Sequence, residues 1–357
     1  MKKSVVGGKP AKKQFNTLAQ NGTGLNNFQA NKPVIAISGN GSDMSNHKAL
    51  KGKAKRKMIT QKMVLSLIDI SKGKKQDEQT KSYWNTYHCQ NTIFSKNGRT
   101  YGTYCKTKHC TVCSANRKAD IMNRYLPILK EWSEPYFVTL TVKAVTKRNL
   151  RKWVKDGLLR GFHQIVEKYR KRYQRGNGIR LMGIKSLECN FNPKRKTYNP
   201  HLHIIVPNKE MADILVNEWL LKWGKKHTNI KGQKSIKINN NEKALIEVVK
   251  YGSKIFTEPD VRKKSKQKGN RNIYTVALHN IFIAMSGCRI FDRFGFNIDE
   301  SKRTENLVQN TSQYEKWVHD FMALDWRNSI TGQLLTGYNS DHELTDLLNN
   351  HIDKQME

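Results

Sequence analysis

A β-hairpin near the middle of the chain is its strongest structural signal. Two segments, Ile179 to Phe191 and Asn199 to Val206, are predicted to be strands, and a turn from Pro193 to Lys196 separates them. A further strand is predicted at Pro135 to Lys143, and apolar residues then recur every three or four positions from Leu150 to Tyr173, as in a helix. This alternation predicts an α+β fold, with a central antiparallel sheet covered by helices.

The charge of the chain indicates its class of partner. It has 65 Lys and Arg residues against 29 Asp and Glu residues, a formal net charge of +36. Such an excess is typical of a nucleic-acid-binding protein, with non-specific stickiness or an anionic membrane surface as the alternatives. No apolar run is long enough to span a membrane, and no secretory signal follows Met1, so we expect a cytoplasmic bacterial protein with no membrane partner.

Composition divides the chain into four predicted segments. Residues 1–57 are poor in aliphatic side chains and predict a disordered basic arm. Residues 58–115 form a Cys-rich, zinc-ribbon-like segment, and residues 116–300 form the α+β domain. Residues 301–357 hold five basic against nine acidic residues and predict an acidic, helical C-terminal appendage.

Two helices are predicted in that appendage. Ser312 to Glu315 has the pattern of a capping box, and Trp317, Phe321 and Leu324 follow on one side of the helix that it would begin. Leu344, Leu347 and Leu348 indicate a second short helix. Either helix packs within the chain or holds a homodimer.

A His-x-His pair lies within the second arm of the hairpin. Because strand residues alternate, His201 and His203 project from one face of the sheet. Glu188, on the first arm, is the natural carboxylate to complete a two-histidine, one-carboxylate set with open positions for a divalent metal. Such an ion can stabilise developing charge on a scissile phosphate. The alternative is a pair of half-exposed histidines with no ligand, because the pattern alone is short.

A helix predicted at about Asn241 to Phe256 carries Tyr251 at the edge of an apolar sector. Glu247 lies one turn before it and Lys254 about one turn after it. A phenol with its ordinary pKa of about 10 needs help from a metal-bound phosphate, an ammonium group or a base to attack at neutral pH. Glu247 is placed to act as a general base toward water or a strand terminus. The alternative is an ordinary core tyrosine with a solvated hydroxyl.

Four cysteines fall within 25 residues, in the pattern C-x15-C-x4-C-x2-C. In a chain without an export signal, such a density favours a structural zinc ion over disulfides. The expected ligands are Cys89, Cys105, Cys110 and Cys113. His88 and His109 are rival ligands, and unpaired core cysteines are the remaining alternative. Cys189 and Cys288 stand apart and are predicted to be core residues.

Three segments resemble, in order, the motifs of the HUH endonuclease superfamily: Phe137 to Thr141, Asn199 to Val206 and Lys250 to Lys254. The match is closest to rolling-circle plasmid replication initiators that use a single tyrosine, and it covers about residues 85 to 300. The resemblance implies an HUH nuclease fold, Mg²⁺ or Mn²⁺ on His201 and His203 with Glu188 as the acidic ligand, and Tyr251 as the nucleophile. Some members place a glutamate four residues before that tyrosine, which is the spacing of Glu247.

The function that this resemblance implies is a site-specific single-strand nick at a replication origin. Tyr251 would attack a single-stranded or hairpin DNA site, remain linked to the 5′ phosphate and leave a 3′ hydroxyl as primer. Nothing in the chain resembles a P-loop, so a host helicase and polymerase would be needed. An HUH transposase or mobilisation relaxase would use the same residues on another substrate, and a non-enzymatic zinc-containing nucleic-acid-binding protein would need none of them.

Overall fold

The computed structural model describes residues 34–38, 42–249, 273–298, 306–342, 344–345 and 352–353. The described helices are α1 (His47–Gly73), α2 (Asp77–Tyr87), α3 (Thr111–Lys130), α4 (Lys147–Lys152), α5 (Arg160–Gln174), α6 (Lys209–His227), α7 (Asn241–Val249) and α8 (Thr275–Ala284). The strands are β1 (Val34–Ser38), β2 (Ser42–Asp43), β3 (Thr92–Lys96), β4 (Arg99–Gly102), β5 (Tyr136–Thr141), β6 (Gly183–Asn192), β7 (Thr197–Val206), β8 (Lys234–Lys237), β9 (Ile273–Tyr274), β10 (Phe291–Phe294), β11 (Asn306–Asn310), β12 (Glu315–Asp320), β13 (Asp325–Asn328) and β14 (Ile352–Asp353).

The predicted hairpin is the middle of an antiparallel sheet with strand order β10-β6-β7-β5-β8. Each arm of the hairpin is ten residues long, and a four-residue turn joins the two arms. The register sets Glu188 opposite His201, and Thr141 lies opposite His201 on the other side. The predicted α+β fold with a central antiparallel sheet covered by helices is confirmed.

Helices cover both faces of this sheet. On one face, α5, α6 and α8 bury a cluster that includes Leu140, Leu202 and Ile204. On the other face, α3 and α7 enclose a second cluster around Ile184 and Ile205. The side chains of one strand thus alternate between two cores, which is why the two histidines share a face and Leu202 between them lies on the opposite one.

The long helix predicted after Thr146 is present, with one irregularity. A π-helical turn, Trp153–Leu159, joins α4 to α5. A Cβ atom on Gly157 would lie 2.4 Å from the Trp153 ring, so the missing side chain leaves room for the indole along the helix. Gly157 thereby allows a wider turn where a larger residue would clash.

A second antiparallel sheet, with strand order β13-β12-β3-β4-β2, joins the two ends of the described chain. The prediction of a helix beginning at Ser312 is wrong, because this segment forms β12 and β13. Trp317 and His319 are buried and the residues beside them are not, a two-residue period that β12 satisfies by pairing with β3. Glu315 does not close a capping box; its carboxylate accepts a hydrogen bond from Ser95 Oγ at 2.7 Å.

The predicted acidic appendage therefore belongs to the fold. Trp326 is buried and donates its indole N–H to the carbonyl of Gln90 at 2.7 Å, which ties β13 to the Cys-rich segment. Leu344 is buried in a cluster with residues of α1. Leu347 and Leu348 lie outside the described residues.

The predicted boundary at residue 57 also fails, because α1 begins at His47. Asn46 caps this helix, its side chain accepting a hydrogen bond from the Ala49 N–H at 3.0 Å. Leu50, Ala54 and Met58 lie on the buried side of α1. Their spacing of four residues is typical of a helix, although lysines separate them in the sequence. This segment is therefore a helix and not part of a disordered arm. Residues 1–33 lie outside the described residues. No described helix combines the length and the apolar character needed to cross a bilayer.

Candidate metal centre on the central sheet

Glu188, His201 and His203 meet on one face of the central sheet. Their coordinating atoms lie within 4.8 Å of one another, and the Nε2 atoms of both histidines are each 3.4 Å from Glu188 Oε2. The strands supply this geometry directly, because Glu188 faces His201 across the β6–β7 pair and His203 follows two residues later on the same face. The three groups predicted from the sequence as a metal set are therefore brought together.

The opposite ring nitrogens orient both imidazoles. His201 Nδ1 lies 2.9 Å from the carbonyl oxygen of Asn199, which can only accept, so Nδ1 carries the proton and Nε2 presents a lone pair. His203 Nδ1 is hydrogen-bonded to Thr139 Oγ1 at 3.1 Å. The carbonyl fixes both the ring and the tautomer of His201, and the threonine hydroxyl, which can donate or accept, fixes the orientation of the His203 ring. Strand alternation places Thr139 on the histidine face, but no local pattern identifies it as a partner of His203.

Glu188 supplies the negative charge of the group. Its side chain is only 1% exposed. Burial raises the pKa of the carboxyl group, but hydrogen bonds and charge from His201 and His203 in their protonated forms outweigh burial and bring the pKa to about 2. With Nε2 of both rings unprotonated, the ionised carboxylate and the two nitrogens have the chemistry of a two-histidine, one-carboxylate cation site.

Helix α7 covers the face that carries this group. It begins beside the start of β5, where Ile238 N–H donates to the Pro135 carbonyl at 2.8 Å and Asn241 Nδ2 donates to the Leu129 carbonyl at 2.8 Å. Leu245 and Val248 then share an apolar cluster with sheet residues on the histidine face. Glu247 lies on α7 and is half-buried. Tyr251 and Lys254 lie outside the described residues, two and five positions beyond the last residue of α7.

A second group of metal-binding side chains is formed by the four clustered cysteines. The sulfur atoms of Cys89, Cys105, Cys110 and Cys113 all lie within 4.8 Å of one another, with Cys113 Sγ 3.6 Å from Cys89 Sγ and 3.5 Å from Cys105 Sγ. These distances are too long for disulfides, and they are close to the separation of about 3.8 Å that zinc–sulfur bonds of about 2.3 Å give in a tetrahedron.

Local backbone geometry supports thiolates at this second group. Cys110 is the N-cap of α3, and its sulfur accepts a hydrogen bond from the Cys113 N–H at 3.5 Å. The Cys105 N–H points likewise to Cys89 Sγ at 3.4 Å. Amide donors and the positive end of a helix both stabilise negative sulfur. This arrangement can hold a metal ion.

The rival histidine ligands lie apart from the sulfur cluster. The ring of His88 stacks on Trp84, and its Nδ1 is hydrogen-bonded to Asn91 Nδ2 at 3.1 Å. His109 is buried against Tyr83 and Phe282. Neither belongs to the group of convergent ligand atoms found among the described residues. Cys189 and Cys288 are buried and separate, as predicted.

A buried lysine braces the first cysteine from α1. Lys57 Nζ donates to the carbonyls of Tyr87 and Cys89 at 2.7 and 2.6 Å and to Asn91 Oδ1 at 2.6 Å. Burial lowers the pKa of this ammonium to about 8, while the nearby thiols act in the opposite direction. Lys57 lies at the end of the segment predicted to be a basic arm. The only sequence signal that distinguishes it from surface lysines is the spacing of the apolar residues around it in α1.

The fold and its two groups define a class: an α+β protein with a histidine–carboxylate group and a four-cysteine group that can each hold a metal ion. A comparison with protein families identifies the family. A model of the replication protein family matches residues 99–331. The chain belongs to this family, and the resemblance inferred from its motifs is confirmed at that level.

Curated relatives support the same assignment. A "Protein rep" from Staphylococcus aureus is 33% identical over 168 residues, which cover 42% of this chain and 69% of that protein. Proteins of the same name from a Bacillus species and from Bacillus amyloliquefaciens are 26% and 27% identical, over 34% and 30% of this chain and 41% and 31% of their own lengths. No solved structure matches the chain.

Proposed function

We propose that this chain is a plasmid rolling-circle replication initiator that nicks one DNA strand at an origin. One observation carries the proposal: an ionised carboxylate and two oriented imidazole nitrogens meet on the sheet face that α7 covers. Tyr251 follows the last residue of that helix by two positions in the sequence, which supports its choice as the nucleophile. Membership of the replication protein family supports the choice of DNA as substrate.

Glu188, His201 and His203 are the residues that would hold Mg²⁺ or Mn²⁺. The donor set fits such an ion, since it offers one charged oxygen and two neutral nitrogens and leaves open positions for phosphate and water. When bound, the ion supplies Lewis-acid stabilisation to the oxygens of the scissile phosphate. Thr139 and the Asn199 carbonyl keep the two rings oriented through the reaction.

In the proposed reaction, Tyr251 is the nucleophile. Its phenolic oxygen forms a bond to the phosphorus while the bond from phosphorus to the 3′ oxygen breaks, so the 5′ side stays on the protein and a 3′ hydroxyl is released. Lys254 would stabilise the phenolate. Glu247, four residues before Tyr251 in the sequence, would accept the proton from a water or strand terminus that later displaces the tyrosine.

The cysteine group would hold a structural zinc ion. Four thiolates complete a tetrahedral shell, so no position remains for a substrate. The group lies between α2 and α3, and α3 continues from Cys110 to the apolar cluster on the histidine face. Zinc there would fix the start of a helix that supports the catalytic sheet.

The partners of such an initiator are DNA and the host replication proteins. The nick site would be single-stranded or exposed in a hairpin, and a helicase and polymerase of a bacterial cytoplasm would extend the 3′ end. A homodimer at the origin is compatible with the proposal. The +36 charge would supply most of the non-specific affinity for DNA.

Nicking of supercoiled plasmid carrying the chain's own origin tests the proposal. In Mn²⁺, the wild-type protein should convert the plasmid to open circles and become covalently attached to DNA. Tyr251→Phe should abolish both products while DNA binding survives, and Tyr173→Phe, at an exposed tyrosine of α5, should behave as wild type. An unchanged adduct yield in Tyr251→Phe would remove the nucleophile, and no nicking by wild type would remove the activity.

A further inference from the structure

A polar pocket lies next to the histidine–carboxylate group. It has a volume of about 310 Å³ and is bounded by the end of β5, the β6–β7 turn and the loop at residues 228–233. We call it the Asn199 pocket, after the β7 residue on its wall. Among the described residues that line it there is no Asp or Glu, and two cations, Lys143 and Arg195, are present. The pocket therefore suits an anion that also forms hydrogen bonds with uncharged polar side chains.

The register of the sheet joins this pocket to the metal group. Thr141, which lines the pocket, is the cross-strand neighbour of His201. Asn199 precedes His201 by two residues, so both lie on one face, roughly 7 Å apart along the strand. The carbonyl of the same Asn199 orients the His201 ring. A DNA strand whose phosphate lies at the metal group thus has an adjacent nucleotide within reach of the pocket.

The side chain of Asn199 is anchored at the wall of the pocket. Thr141 Oγ1 lies 2.9 Å from Asn199 Oδ1 and 3.1 Å from the Val142 carbonyl oxygen, so one threonine hydroxyl contacts both groups. An anchored amide can recognise the edge of a base through its donors and its acceptor. Because none of the described residues that line the pocket is aromatic, recognition there would depend on hydrogen bonds instead of stacking.

The opposite wall is rigid. Gln233 Oε1 accepts from the Thr141 N–H at 2.8 Å, and its Nε2 donates to Thr228 Oγ1 at 2.7 Å and to the Asn229 carbonyl at 2.9 Å. These bonds fasten the loop at residues 228–233 to the end of β5. A pocket built from fixed backbone discriminates between ligands better than a mobile one, since little must be ordered on binding.

We infer that the Asn199 pocket binds the nucleotide next to the scissile phosphate and so determines part of the sequence preference of the nick. Asn199 contacts the base edge, and Arg195 and Lys143 contact the flanking phosphate. The inference rests on the proposed function, because it takes the metal group as the position of the cleaved phosphate. It adds a specificity-determining site to that function.

The test is a binding selection from a single-stranded DNA library that carries random positions, performed without added Mg²⁺ or Mn²⁺ and without chelator, so that no cleavage occurs and the zinc of the cysteine group is retained. Wild-type protein should enrich one base at one position. In Asn199→Ala that preference should fall by about 5- to 150-fold, the loss expected when a hydrogen-bonded base contact is removed. Arg195→Ala should weaken binding to all sequences and reduce the salt dependence.

Matched variants control for general effects. Asn177→Ala removes an exposed amide in the turn after α5, and Lys194→Ala removes a cation of the β6–β7 turn that does not line the pocket. Asn177→Ala should keep the wild-type preference, and Lys194→Ala should bind more tightly than Arg195→Ala. Thermal melting of each variant reports folding, and Arg195, in an exposed turn, provides a second test should Asn199→Ala unfold.

The outcomes separate the two proposals. An unchanged base preference in Asn199→Ala, or equal binding by Arg195→Ala and Lys194→Ala, would overturn the pocket assignment even if wild type nicks DNA. Adding Mn²⁺ to the selected DNA then reports the activity independently. Bound DNA without any covalent adduct would contradict the nicking function and leave the base preference as a measured property of the pocket.

Discussion

The Nδ1 atoms of His201 and His203 determine what the opposite ring nitrogens can bind. One donates to a backbone carbonyl and the other is hydrogen-bonded to Thr139 Oγ1. A carbonyl is present whatever the side chain, but the threonine hydroxyl can be removed by substitution. Thr139 therefore offers a test of the metal centre that leaves all three ligands in place.

Thr139→Val should weaken Mn²⁺ binding by roughly 10- to 100-fold, the usual cost of losing an outer hydrogen bond to a histidine ligand. Valine keeps the branched shape that a strand favours, so β5 should remain intact. Isothermal titration calorimetry measures the affinity. Thr146→Val, at an exposed residue whose side chain makes no cap hydrogen bond, is the matched control. Equal affinities for the two variants would contradict the role of Thr139.

His319 gives a residue-scale prediction about pH. It is buried in β12 and, among the described residues, neither ring nitrogen has a hydrogen-bond partner. Burial, followed by the charge of Lys57, lowers its pKa to about 3, while Asp320 acts in the opposite direction. The unfolded chain, with a histidine pKa of about 6.5, therefore takes up the proton first as pH falls. Stability present above pH 6.5 is lost progressively toward pH 3.

Because of this histidine, lowering the pH from 7 to 5 should reduce the free energy of unfolding by about 2 kcal/mol. His319→Phe, which keeps an aromatic ring against Trp326, should reduce the pH-dependent loss by that amount. Urea unfolding at the two pH values measures it. The control is His163→Gln, at an exposed position of α5. A variant with the full wild-type pH dependence would show that His319 titrates normally in the folded protein.

At the scale of elements, the hairpin could be predicted and the C-terminal strands could not. Ile179 to Val206 combines alternation, branched side chains and a proline-containing turn, and each of these favours strands. Trp317, Phe321 and Leu324 happen to be spaced as on a helix, but the side chains that β12 buries are Trp317 and His319. Pairing with β3, more than 200 positions earlier in the sequence, decides between the two periods, and no local pattern contains that partner.

In the two candidate metal sites, too, the ligands could be predicted from local sequence and their supporting residues could not. His201, His203 and Glu188 follow from strand alternation within one hairpin, a local feature. The support from Thr139 and Lys57 depends on contacts between separate elements. Lysine is an exposed residue in most proteins, so composition assigned Lys57 to a solvated arm. Only the folded helix shows that three oxygen acceptors surround its ammonium group.

Lys57 links α1 to the loop that begins the cysteine group. Lys57→Met keeps the length of the side chain but leaves buried carbonyl groups without their charged donor, so we expect a loss of roughly 3 kcal/mol of unfolding free energy. Urea unfolding measures it, and Lys51→Met, exposed on the same helix, is the control. If both variants lose the same free energy, the three hydrogen bonds of Lys57 contribute nothing specific.

At the scale of the whole molecule, helix α3 connects the cysteine group with the histidine group. Helix α3 starts at the cysteine group and ends in the apolar cluster that lies on the same sheet face as the histidine group. The second sheet pairs β12 with β3 and β3 with β4, and Trp326 of β13 is hydrogen-bonded to the Gln90 carbonyl next to Cys89.

The proposed activity requires the oxygen of Tyr251 and the cation site to meet at one phosphate. Mass spectrometry of the peptide left on nicked DNA tests this most directly. After exhaustive nuclease and trypsin digestion of the wild-type reaction, the account predicts a nucleotide attached through phosphate to Tyr251. A nucleotide on any other residue, or nicked DNA that carries no peptide, would contradict it.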